Sequence, residues 1–174
     1  MQRKSAPANP LQTALAMLAR RPYSVAGLRR ALEKKFPSSD LTDVIARLRQ
    51  IGYLDDKKFA ESYALSLAQN RSYGPYRVRR ELKSKLLDYD VIDAAVEKAF
   101  ESVSERTLLE RAVDKKIRTL RKPLTRPKLA SLCQSLIRRG FRADDIMKVV
   151  RSRPELTPGA KDFDLAGLEE DERN

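Results

Sequence analysis

Apolar residues recur at helical spacing along almost the whole 174-residue chain. Leu11, Leu15 and Leu18 follow i, i+4, i+7 behind Asn9-Pro10, an N-cap with proline at the first helical position. Polar Gln12 and Thr13 interrupt this stretch, so it reads as a first helix and not as the apolar core of a secretory signal. Arg20-Arg21-Pro22 ends it, and Ser24 offers a cap for a second helix with Val25, Leu28 and Leu32 on one face, closed by Pro37. Ser39 is expected to open a third helix carrying Leu41, Val44, Ile45 and Leu48, with Gly52 where a left-handed residue is wanted. Asp55-Asp56 then starts a longer helix with Phe59, Ala60, Tyr63, Ala64, Leu67 and Ala68 as its stripe, running to about Arg71.

The pattern repeats. Tyr23-Ser24, Leu28-Arg29-Arg30 and Leu32 reappear as Tyr73-Gly74, Val78-Arg79-Arg80 and Leu82, at a constant offset of 50. One residue is gained near Leu86-Leu87, after which Leu41, Val44, Ile45 and Leu48 find counterparts in Ile92, Ala95, Val96 and Ala99. A diverged third copy starts at a capping box, Ser102 to Glu105. Its first helix carries Leu109, Ala112, Val113 and Leu120, its second Leu129, Leu132, Cys133, Leu136 and Ile137, and its third Ile146, Val149 and Val150. The expected architecture is all-α: an elongated array of three tandem three-helix units over 10–54, 55–101 and 102–153. A flexible N-terminus, 1–9, precedes it, and a flexible acidic C-terminal tail, 154–174, follows. Leu28, Leu32, Val44, Ile45, Leu48, Phe59, Tyr63, Val78, Leu82, Val96, Leu109, Leu136 and Val149 are the predicted core.

Composition narrows the chemistry. With no histidine, Ser-His-Asp, Cys-His and HExxH mechanisms are excluded. Cys133 is the only cysteine, so no internal disulfide forms; it reads as a small buried hydrophobe, and a cytoplasmic location is expected. No run approaches a transmembrane helix, and no phosphate-binding or dinucleotide-binding glycine loop is present. Neither cofactor, metal nor catalytic group is expected. The formal charge is +12, distributed as +7 over 1–54, 0 over 55–102, +10 over 103–153 and −5 over 154–174. Such a surface suits polyanionic or acidic partners.

Arg29, Arg30 and Lys35 recur in register as Arg79, Arg80 and Lys85. The paired arginines, one and two residues beyond a core position, lie about 100° and 200° around the helix from the stripe and project away from the core. Arg118, Arg121, Lys122, Arg126 and Lys128 between two helices of the third unit, with Arg138, Arg139 and Arg142 beyond, form a denser cluster. These residues are candidates for binding phosphate or acidic protein; a solvated helix face is the competing reading. Asp55-Asp56 caps a helix or, with partners the sequence does not supply, binds a metal. Tyr23, Tyr53, Tyr73 and Tyr76 are placed either to stack on bases or to wedge helix junctions. The acidic tail, with Phe163, Leu165 and Leu168 among its carboxylates, either folds back on the basic surface or is a solvated end.

The stretch Leu48 to Leu82, LRQIGYLDDKKFAESYALSLAQNRSYGPYRVRREL, resembles the RecX family of bacterial recombination regulators. The resemblance is carried by Gly52-Tyr53-Leu54-Asp55-Asp56, Phe59-Ala60, Gly74 and Arg80-Glu81-Leu82, and downstream by Arg138-Arg139-Gly140-Phe141. Phe36-Pro37 and Leu86-Leu87 stand where the family usually has glycine after the second helix of a unit. The resemblance implies a non-enzymatic, monomeric regulator of DNA repair and recombination and of the SOS response. Its partner would be the RecA filament, with some affinity for single-stranded and double-stranded DNA. A helical DNA-binding module acting without RecA is the alternative, and a metal-dependent nuclease a third class.

Overall fold

The computed structural model describes residues 9–120 and 125–156, and within them every regular element is an α-helix. Arg121, Lys122 and the acidic stretch from 157 onward lie outside the described residues, as does the N-terminus up to residue 8. The elements are α1 (Pro10–Leu18), α2 (Val25–Glu33), α3 (Thr42–Gln50), α4 (Asp56–Arg71), α5 (Pro75–Lys83), α6 (Tyr89–Ser102), α7 (Glu105–Ile117), α8 (Arg126–Ile137) and α9 (Ala143–Arg151).

Local chemistry explains most helix starts. The side chain of Asn9 accepts from Leu11 N–H and Pro10 follows it, Ser24 Oγ accepts from Gly27 N–H, and Asp55 accepts from Lys58 N–H. Gly52, at φ +77°, ends α3 in the left-handed conformation its spacing predicts. Two starts differ from expectation. The third helix begins at Thr42, whose N–H is accepted by Asp40 and not by Ser39, because a carboxylate two residues before the amide reaches it directly. The cap of α7 is Ser104, whose Oγ accepts from Thr107 N–H; Ser102 is the last residue of α6.

Three apolar clusters hold the helices. The first joins Ala14, Leu28, Leu32, Leu41, Ile45, Leu48 and Leu54; the second gathers Ala60, Ala64, Val78, Leu82, Ile92 and their neighbours from α4 to α6. The third runs from Ala68 through α7, α8 and α9 to Leu156, so packed chain continues beyond residue 153. Arg153 pairs with Asp114 and lies 3.6 Å from Glu155, pinning this last stretch. Cys133 is fully buried, and burial pushes its thiol up to about 11.

Ten of the thirteen predicted core residues are buried, while Val44, Phe59 and Tyr63 are half-buried. On α4 the buried stripe is Ala60, Ala64, Leu67 and Ala68; the first three face Ala95, Val96 and Ala99 of α6, and Ala68 joins the third cluster. Small side chains let the two axes approach closely, and the stacked rings of Phe59 and Tyr63 are displaced to the edge. α1 shows the same inversion: Ala14 is buried and Leu11, Leu15 and Leu18 pack around it half-exposed.

Candidate nucleic-acid interface

The units are joined by contacts between helix ends that the apolar pattern does not report. At the first junction Ser24 Oγ, already capping α2, donates to Lys85 O at 2.6 Å, and Val25 N–H donates to Asp56 Oδ1 at 2.8 Å. At the second, Gly74 N–H donates to Arg139 O at 2.7 Å and Tyr76 N–H to Gly140 O at 3.3 Å. The head of α2 thus sits on the tail of α5, and the head of α5 on the tail of α8. Gly140 has φ +85°, and a Cβ there would lie within 2.6 Å of Arg77 Cβ and closer still to the Arg77 backbone nitrogen. A Cβ on Gly74 would run into the Gly140 carbonyl. Only two glycines allow the backbones to meet this closely.

This contact brings Arg79, Arg80 and Arg138 onto one surface. A groove of about 280 Å³ opens there, lined by Tyr76, Arg79, Arg80, Lys83, Tyr89 and Arg138 among others. Arg79 is paired to Asp93 at 3.0 Å, and Lys83 Nζ stands 5.5 Å from the centre of the Tyr89 ring. Arg80 and Arg138 are exposed, with no ion pair among the described residues. Tyr76 and Tyr89 are 56% and 66% exposed, unusually high for aromatic rings. Beneath the groove Arg77 is bound to Glu81 at 2.7 Å and stands 5.4 Å from the Tyr73 ring centre, while its Nε is buried without a partner. Arg139 is turned away: its guanidinium donates to Arg71 O at 3.2 Å, tying the end of α4 to the end of α8. The local sequence marks Tyr89 only as an aromatic ring at the first position of α6, three residues before the buried Ile92.

A second, larger groove of about 620 Å³ lies at the first junction, between α2 and α4. Arg21, Arg30, Lys34 and Lys85 line it, with no carboxylate among the described residues. The remaining candidates are dispersed. Arg29 is half-buried and faces Asp40, whose carboxyl is held below its usual range mainly by hydrogen bonding from Thr42. Lys35 is exposed just past α2, Arg118 caps the end of α7, and Arg126 and Lys128 stand in the first turn of α8. Arg142 is the N-cap residue of α9, close enough to Glu105 to act on its charge; burial nonetheless pushes the Glu105 carboxyl up.

The motif residues are mostly structural. Leu54, Ala60, Leu82 and Phe141 are core, and Glu81 holds Arg77. Tyr53 is 60% exposed. Asp55 caps its own helix and Asp56 caps α2 of the neighbouring unit. Burial raises the Asp56 carboxyl, outweighing the hydrogen bond from Val25. Among the described residues no group of three metal-binding side chains occurs, and both carboxylates of the acidic pair are engaged at helix ends.

Two family descriptions match this chain, "RecX, first three-helix domain" over residues 11–48 and "RecX, second three-helix domain" over 55–96. Regulatory protein RecX of Cronobacter sakazakii is 32% identical over 163 residues, covering 86% of this chain and 95% of that one. That of Chlorobaculum tepidum is 33% identical over 142 residues, covering 81% and 86%. The chain belongs to the RecX family. The crystal structure of RecX from Lactobacillus salivarius superposes with a TM-score of 0.69 at 21% identity, covering 86% of this chain and 95% of that one. A second RecX crystal structure gives 0.72 at 19% identity, covering 83% and 72%; both share the fold. The family is one of regulatory proteins, and no helix among the described residues is long and apolar enough to cross a membrane.

Proposed function

We propose that this chain binds the RecA nucleoprotein filament and limits its assembly or activity, drawing part of its grip from DNA phosphate. The observation that carries the reading is the groove at the second junction. Arg80 and Arg138, 58 residues apart in sequence, meet there beside Arg79, two exposed tyrosines flank them, and neither Arg80 nor Arg138 makes an ion pair among the described residues. Guanidinium groups beside aromatic rings suit a single strand, whose phosphates and unstacked bases are both within reach. The name shared by the relatives, regulatory protein RecX, supports a regulatory role. Contact with filament protein and DNA together would add two weak affinities into a strong one.

Co-sedimentation with RecA filaments, against naked single-stranded DNA, tests this. Wild type is expected to pellet with filaments more strongly than with DNA alone, and the double variant Arg80→Glu, Arg138→Glu to lose most of both. The slope of log affinity against log salt should fall by roughly one for each phosphate contact removed. Equal retention on naked DNA and on filaments would favour a DNA-binding module that acts without RecA. Wild-type behaviour of the double variant would return the arginines to solvent.

A further inference from the structure

We propose that the groove between α2 and α4 is a second, distinct nucleotide subsite, which takes one unpaired base and its phosphate from a single strand. The proposal rests on the reading that the chain binds nucleic acid. Its foundation is a comparison of the two junctions. At the repeat offset of 50, Tyr23 corresponds to Tyr73, Arg30 to Arg80, Gly27 to Arg77 and Ala31 to Glu81. At the second junction Arg77 and Glu81 form a 2.7 Å ion pair that covers Tyr73. At the first junction both side chains are missing, and about 620 Å³ stands open where they would be. A hole of that size falls within the range of small-molecule sites and is large enough for a nucleotide.

The walls define the occupant. Among the described residues four cations and no carboxylate line the groove, so it favours an anion. One edge is a shelf: the Arg21 guanidinium lies 4.4 Å over the Tyr23 ring, its outer face exposed. A planar guanidinium held flat by a ring is a platform for a base, which an ammonium is not. Across the groove Lys85 Nζ sits 5.3 Å from the Tyr63 ring centre, and Arg30 and Lys34 follow along α2 one turn apart, spaced to meet phosphate. The base therefore lies on Arg21 and Tyr23, and the phosphate faces Arg30, Lys34 and Lys85.

Fluorescence anisotropy with a labelled oligodeoxythymidylate, and with an abasic phosphodiester chain of equal length, tests the subsite. Wild type is expected to prefer the thymidylate by roughly five-fold or more, the lower end for one stacked base. Arg21→Lys keeps the charge and should lower that preference several-fold, to what the second-junction groove alone supplies, while the abasic affinity stays unchanged. Ser66→Gln fills the groove from the exposed side of α4 and should do the same; circular dichroism confirms that each variant is folded. Equal wild-type affinity for both chains, or a preference undiminished in Arg21→Lys and Ser66→Gln, overturns the subsite while leaving the phosphate-binding reading intact. No binding of either chain at low salt overturns both. A glutamate-rich peptide that binds wild type and is lost in Ser66→Gln, with no thymidylate preference, would assign the groove to protein and overturn the proposal.

Discussion

Replacing Gly140 by alanine probes the contact on which the second junction depends. Two costs add. A residue with a Cβ held at φ +85° sits in the left-handed region, unfavourable by about 1–2 kcal/mol. The new Cβ also meets Arg77 backbone and Cβ atoms that no rotamer change can move, so the helix ends must part. Parting them weakens the bonds from Gly74 N–H to Arg139 O and from Tyr76 N–H to Gly140 O, each contributing about 0.5–1.5 kcal/mol. The expected loss is about 2–5 kcal/mol by these terms. Gly52→Ala is the internal control. Gly52 is left-handed at φ +77° but has nothing within 4 Å of a Cβ, so only the conformational cost of about 1–2 kcal/mol applies. Urea unfolding gives the total in each variant, and amide exchange at residues 74 and 76 isolates the junction. Exchange there should accelerate in Gly140→Ala and not in Gly52→Ala. Equal destabilisation by the two substitutions, with unchanged exchange at 74 and 76, would refute the close-contact reasoning.

Leu82, fully buried in the second cluster, should cost about 2–5 kcal/mol when cut to alanine, and an unchanged unfolding midpoint would show its face misassigned. Asp56→Ala removes the acceptor from Val25 N–H and is expected to cost about 0.5–2 kcal/mol by loss of a cap. Asp56→Asn keeps an acceptor, and because burial raises the folded carboxyl above its unfolded value, Asp56 favours folding below the ordinary carboxylate range and loses that benefit as pH rises through the folded value. The stability of Asp56→Asn relative to wild type should therefore increase across that window, and a flat or falling difference in pH-dependent unfolding would contradict it. Leu86 is left-handed at φ +60° and half-exposed, so Leu86→Gly should raise stability by about 0.5–1 kcal/mol in the same urea assay, and a loss would mean that its side chain matters more than its backbone.

Much of this molecule can be read from the order of its residues, for reasons that differ by level. Asn9, Ser24 and Asp55 cap helices through atoms two or three residues away, so the sequence carries the whole interaction. The recurrence of Arg29-Arg30 as Arg79-Arg80 is visible because both helices repeat one apolar stripe. Less legible is which apolar residue faces inward. On α4, rings and alanines share the stripe, and the closeness of α6 decides for Ala60 and Ala64. Least legible is the gathering of Arg80 with Arg138, since it follows from two glycines touching across 66 residues of chain. Hydrophobic periodicity is blind to contacts made by backbone alone. The same holds for Asp56, which looks like part of a local cap and serves a helix 31 residues earlier.

The junctions also give the array a direction in time. Each second helix begins on the end of the corresponding helix in the unit that follows it: α2 is held by the carbonyl of Lys85, and α5 by those of Arg139 and Gly140. On a ribosome the earlier member of each pair emerges first. The start of α2 has its own cap from Ser24 but must wait about 60 residues, several seconds of elongation, for the carbonyl that anchors it. Every unit except the last is anchored from downstream, so a nascent chain stopped before Lys85 leaves the first unit unclasped.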